Sequence, residues 1–238
     1  MQKCYYRLGI QIKMIHNVCL ADYNEYMSNY LNKIMLNDCY LKAIHAKATI
    51  KGYVFSNLYP FEKDCVYKKD SIYTFYLNGF DKELIMRFKN CLEQEEIVLN
   101  VKMNVQPFKQ IKALRTNSLC LVSLKDSNAE YWTRQKSLSL LIEALNKNAN
   151  LKCNLFCSQI LKGTNFIQSL LIRNKHDLCA NYKGGKLIGY QLDIIVKDDP
   201  ESQLLANICM AAGLGEKNSL GCRFSIDLKE DKRRLMIC

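Results

Sequence analysis

The amino-acid sequence predicts an α+β protein made of two successive β-α-β-β-α-β units, the second closed by a C-terminal glycine-rich loop. Three observations carry that expectation. Apolar residues recur at period two in some stretches and at helical spacing in others, and those stretches follow the same order in both halves of the 238-residue chain. The polar run Thr116-Asn117-Ser118 marks a joint after which the pattern restarts. Finally, three of the ten glycines fall within nine residues, between the last helical and the last strand-like stretch.

In the first half, 4–14 (CYYRLGIQIKM) alternates apolar and polar from Tyr6 onward, the period of a half-buried strand. Over 22–36, Tyr23, Tyr26, Met27, Tyr30, Leu31, Ile34 and Met35 form one apolar stripe at helical spacing. A short segment holding His45 leads to strand-like runs at 50–58 and 71–77, separated by the charged loop 62–70. Gly79 and Asp81 introduce a helix over 81–94, and a strand over 97–105 completes the unit. That order is the ferredoxin-like one.

In the second half, 119–124 is strand-like, and 133–145 is helical with Leu138, Leu141, Ile142 and Leu145 on one side. Strands are expected at 151–161 and at 166–172 or 186–196, then a helix over 201–212, the glycine loop, and a last alternating strand over 222–228 (CRFSIDL). The predicted division is therefore 1–115 and 116–238, as tandem ferredoxin-like (βαββαβ) domains, with neither a close repeat nor a low-complexity linker between them.

A hydrophobic content of 49% is ample for a core, and 34 Lys and Arg against 23 Asp and Glu give a net charge of +11. The excess favours a polyanionic partner. Twelve cysteines with no C-x-x-C pair, behind an N-terminus without an apolar signal region, predict reduced thiols in a cytoplasmic protein. No apolar run approaches the roughly 18 residues of a membrane span, so no membrane partner is expected. Asp198-Asp199 before Pro200 reads as a helix start, and neither a metal site nor a cofactor is predicted.

The loop lies in 210–224, MAAGLGEKNSLGCRF. Glycines at that density let backbone N–H groups approach another molecule, and with a lysine, an asparagine and a serine between them the stretch reads as an anion cradle. It is not a dinucleotide fingerprint, because here a helix precedes the glycines and a strand follows them. Nor is it a Walker loop, because Gly221 is followed by Cys222 and Arg223 rather than Lys-Ser or Lys-Thr.

Gly213-Leu214-Gly215, five residues including Lys217, then Gly221-Cys222 resembles the closing loop of the RAMP proteins, above all the CRISPR repeat-processing endoribonucleases; Arg223 stands where that family has a final glycine. The resemblance implies CRISPR repeat RNA as partner, with Gly213, Gly215, Lys217, Asn218, Ser219, Gly221 and Arg223 holding its backbone. It also implies a catalytic Tyr, His, Lys set, which maps onto Tyr30, His45 and Lys51. Periodicity alone places Tyr30 in the core stripe, and the set rests on the resemblance. Such a set would cut RNA without metal, using the 2′-hydroxyl as nucleophile and leaving a 2′,3′-cyclic phosphate and a 5′-hydroxyl. The alternative from another class is a non-catalytic RNA-binding subunit of a CRISPR effector complex; homodimerisation or association with such a complex is a further possibility.

Overall fold

A computed structural model describes residues 4–47, 49–124, 131–157, 160–161, 163–222 and 224–229. In the first half, β1 (Cys4–Lys13) is followed by the short β2 (Val18–Cys19), then α1 (Tyr23–Leu36) and α2 (Cys39–Ala46). After these come β3 (Tyr53–Phe55), β4 (Val66–Tyr67), β5 (Ile72–Gly79), α3 (Lys82–Leu92) and β6 (Val98–Pro107). Four strands form an antiparallel sheet in the order β3-β5-β1-β6, while β2 pairs with β4 beside it.

Alternation in β1 sends Leu8, Ile10 and Ile12 to one face, where all three are fully buried against Met27, Leu31, Ile34 and Met35 of the predicted α1 stripe and Leu84, Ile85 and Phe88 of α3. The segment around His45 is itself helical, because Asp38 caps it by accepting from the N–H groups of Tyr40 and Leu41, both at 2.9 Å.

The second half contains β7 (Ala113–Thr116), α4 (Leu138–Phe156), β8 (Ile167–Ile172), β9 (Leu178–Tyr182), β10 (Gly185–Gly189), β11 (Leu192–Val196), α5 (Pro200–Ala212) and β12 (Ser225–Asp227). Its sheet runs β12-β7-β11-β8, again antiparallel, and β9 and β10 form an inserted hairpin. In both sheets the first strand of the unit lies between the third and the fourth. The two ferredoxin-like units predicted from the sequence are thus present in tandem.

Three expectations are corrected within the second unit. Its first strand is Ala113–Thr116, so the change of sheet falls at 108–112, before the joint expected at Thr116; 119–124 contributes only bridges, Cys120 with Tyr190 and Ser123 with Tyr131. The helix expected over 133–145 begins at Leu138, where Ser137 caps it, and runs to Phe156. It therefore takes in the start of the stretch expected as a strand over 151–161. The alternation Leu151, Cys153, Leu155 mimics a strand, but Leu141, Leu145, Ala149 and Cys153 are the buried helical stripe, while Leu151 and Leu155 are exposed. Of the two strand alternatives, 166–172 and 186–196, both supply strands to the sheet, β8 and β11.

The halves are joined by buried contacts. Asn78 of β5 donates to the Met210 carbonyl of α5 at 2.8 Å and accepts from Arg7 Nε at 2.9 Å. The Phe80 and Phe156 rings stack with centroids 6.1 Å apart, and Val54 clusters with Phe224 and Ile226. Among the described residues the cysteines are free thiols, and no helix is long and apolar enough to cross a membrane.

Candidate functional site

The loop after α5 is set into the seam between the halves. Gly213 and Gly221 have φ of +79° and +70°, where a β-carbon is disfavoured. Their surroundings exclude one as well. On Gly213 it would stand 2.3 Å from Asn218 Nδ2 and 3.1 Å from Val54 Cγ2; on Gly221, 2.3 Å from the Phe55 ring. These glycines therefore permit close packing of the loop on β3 of the other unit. Asn24 of α1 holds the same loop by donating to the Leu220 carbonyl at 2.7 Å.

Beneath the loop, Lys152 of α4 is fully buried, and its Nζ donates to the carbonyls of Gly213 and Gly215, both at 2.6 Å, and to Asn218 Oδ1 at 2.7 Å. Three oxygens around one ammonium satisfy a buried cation that would otherwise be costly. Asn218 thus turns its side chain inward, and Gly213 and Gly215 turn their carbonyls inward.

Facing outward are Glu216, Lys217 and Ser219, which border a groove of about 440 Å³ between the halves. The opposite wall carries Lys51 from the segment before β3, and Asn148, Leu151 and Leu155 from α4. Lys217 is exposed, with φ +56°; its ammonium lies 4.8 Å from the Tyr131 ring centroid and donates to that tyrosine's hydroxyl. Glu216 accepts from Ser123 Oγ at 2.6 Å, which draws its carboxylate to the rim.

Lys51 links this groove to His45. Its Nζ stands 3.3 Å from His45 Nδ1 and donates to the His45 carbonyl at 3.2 Å. Partial burial, and after it the Lys51 ammonium, hold the imidazole below its ordinary 6.5, while burial draws Lys51 below its ordinary 10.5. At neutral pH the ring is neutral. An ammonium has only protons to give, so Nδ1 accepts and Nε2 carries the ring proton on its far side.

Tyr30 is placed differently. Its hydroxyl is buried without a hydrogen-bond partner among the described residues, and burial, with Glu95 and Tyr26 adding, pushes the phenol well above 10. It packs on the first core. The structure thus brings His45 and Lys51 together and shows no bond from Tyr30 to either. Arg223 lies outside the described residues.

No family model matches the chain, and no curated protein matches its sequence significantly. Solved structures do match. A CRISPR-associated protein Cas6 superposes with TM-score 0.70 at 19% identity over 94% of this chain and 99% of its own. The product of a Cas6-related gene from Pyrococcus furiosus gives 0.68 at 15% over 95% and 99%. A RAMP protein binding different RNA substrates gives 0.68 at 13% over 92% and 98%. The chain has the Cas6 fold.

Within this Cas6 fold, sequence reasoning missed Lys152 and Asn148. Lys152 stands in an alternating stretch that resembled a strand, and a lysine there reads as solvent-facing. The signal that could have found it is helical: Lys152 stands three residues beyond Ala149 on the Leu141, Leu145, Ala149 stripe, where a charged residue calls for an internal partner. Asn148 has no such signal, because its position follows only from how α4 meets the other half.

Proposed function

We propose that the protein is a metal-independent endoribonuclease that binds CRISPR repeat RNA and cuts precursor CRISPR RNA into guide units. One observation carries the reading: the Lys51 that touches His45 opens onto the same groove as Lys217 and Ser219 of the glycine loop. A strand laid across the seam would meet cations and hydroxyls from the loop on one side and a proton-transfer group beside a cation on the other.

In this mechanism the 2′-hydroxyl attacks the adjacent phosphorus and the 5′-oxygen leaves, giving a 2′,3′-cyclic phosphate and a 5′-hydroxyl. His45 is the proton-transfer group: the neutral ring takes the 2′-hydroxyl proton at its unprotonated nitrogen and, as the imidazolium, returns a proton to the departing 5′-oxygen. Lys51 stabilises the charge that builds on the pentacoordinate phosphorus. Tyr30 stays protonated across the neutral range, so it would serve as a hydrogen-bond donor and not as a base. The net charge of +11 supports attraction of the polyanion.

The test is to incubate the purified protein in EDTA with the repeat RNA encoded beside its gene and to analyse the product ends. Cleavage to a cyclic phosphate is expected, with His45→Ala slowing it roughly 10²- to 10⁴-fold while RNA affinity is retained. Tight binding without any cut would favour the alternative, a non-catalytic RNA-binding subunit of an effector complex. An unimpaired His45→Ala protein would remove His45 from the chemistry.

A further inference from the structure

We propose that Lys152 is the positioning residue that gives the glycine loop its anion-binding face; this rests on the reading that the loop holds RNA. Lys152 is a fully buried ammonium at the centre of three oxygens, two of them backbone carbonyls two residues apart, at 2.6 to 2.7 Å. A lysine in a loose surface setting has no such geometry. Here the loop is wrapped around its Nζ.

The consequence follows from peptide planarity. The one cis peptide bond among the described residues is Tyr59-Pro60, so the loop's described peptides are trans, and each carbonyl points opposite to the next residue's N–H. Drawing the Gly215 carbonyl inward to Nζ therefore turns the Glu216 N–H away from Lys152. Glu216 borders the groove, and its N–H has no hydrogen-bond partner among the described residues. The left-handed Lys217 follows it, and successive N–H groups around a left-handed residue form a concavity suited to an anionic oxygen. The Glu216 carboxylate itself is held aside by Ser123. Lys152 never meets the RNA; it acts through the peptide planes it holds.

Three acceptor oxygens around one Nζ call for three protons, which only the ammonium form carries, and a neutral replacement leaves the Gly213, Gly215 and Asn218 oxygens without that donor.

The experiment compares Lys152→Ala and Lys152→Met with the wild type by RNA titration, each variant first shown to be folded by its melting transition. Both should lose affinity about tenfold or more, as when one partner of a buried hydrogen-bonded charge is removed. Propylammonium chloride, which replaces the deleted side-chain end, should restore Lys152→Ala, whereas sodium chloride at equal ionic strength should not. Lys152→Met, whose thioether fills the space, should not be restored. A folded Lys152→Met protein with wild-type RNA affinity overturns the proposal. If the wild type binds no RNA, the functional reading fails separately, and amide hydrogen exchange decides the role of Lys152. Faster exchange at residues 215–219 in Lys152→Met supports it, and an unchanged pattern overturns it. Should neither variant fold, Asn218→Ala removes one of the three acceptors, and the same RNA and exchange readouts apply.

Discussion

A β-carbon at position 221 would fall 2.3 Å from Cε2, 2.6 Å from Cζ and 2.9 Å from Cδ2 of Phe55, a ring that is fully buried in the first core. Gly221→Ala therefore has two separable costs. Holding alanine at φ +70° costs about 1–2 kcal/mol. Forcing one carbon into a packed ring environment costs about 1–3 kcal/mol more, because Phe55 has no free space into which to retreat. The sum, about 2–5 kcal/mol, is a large part of the 5–15 kcal/mol typical of a domain and corresponds to a fall in melting temperature of order ten degrees for a chain of this size. The measurement is urea and thermal denaturation of Gly221→Ala in the wild-type and in the Phe55→Leu background. Leucine lacks the two nearest ring atoms but keeps a δ-carbon, so in that background the cost should fall toward the backbone value of about 1–2 kcal/mol. Equal costs in both backgrounds would refute the idea that this glycine is required by Phe55. A wild-type denaturation midpoint for Gly221→Ala alone would refute the backbone argument too.

Three further outcomes follow from the groove. Because His45 is held below 6.5 and Lys51 below 10.5, a reaction that needs a neutral imidazole and a charged ammonium should have a bell-shaped pH profile with both limbs displaced to lower pH. In Lys51→Met the like charge is gone and the acidic limb should move up toward 6.5; a single-turnover profile whose acidic limb stays in place would refute the coupling. The same depression means that the folded state binds fewer protons than the unfolded one, so stability is lost as pH falls below 6.5 toward the depressed value. For Lys217→Ala, RNA affinity should weaken across sequences and the log–log salt dependence should become shallower by about 0.7, the slope of one phosphate contact on a single strand. An unchanged slope and affinity would take Lys217 off the RNA path.

Much of the architecture was legible because both units obey simple periodicities. Strand alternation in 4–14 and the helical stripe of 22–36 each answer to one buried face, so pattern alone places them. The reading broke down where one pattern satisfied two periods, as in 151–161. There Leu151, Cys153 and Leu155 alternate like a strand, while Leu145, Ala149 and Cys153 turn a helix face to the core. It also broke down at the start of the second unit, where Ala113–Thr116 is too short to announce its own period.

The sequence by itself determined the residue types with which the site is built: the glycine spacing, the charge balance, and a histidine six residues before a lysine. Only the tertiary structure decided what those residues face. Gly213 and Gly221 are conditioned by Val54, Asn218 and Phe55 as well as by their own dihedral angles, and Lys217 reaches Lys51's groove because two ferredoxin-like sheets meet at one seam. Burial of Lys152 is the clearest case. A lysine's local preference is for water, and what reverses it is a set of three oxygens, all more than sixty residues away in sequence, that exist as a set only once α4 lies under the loop.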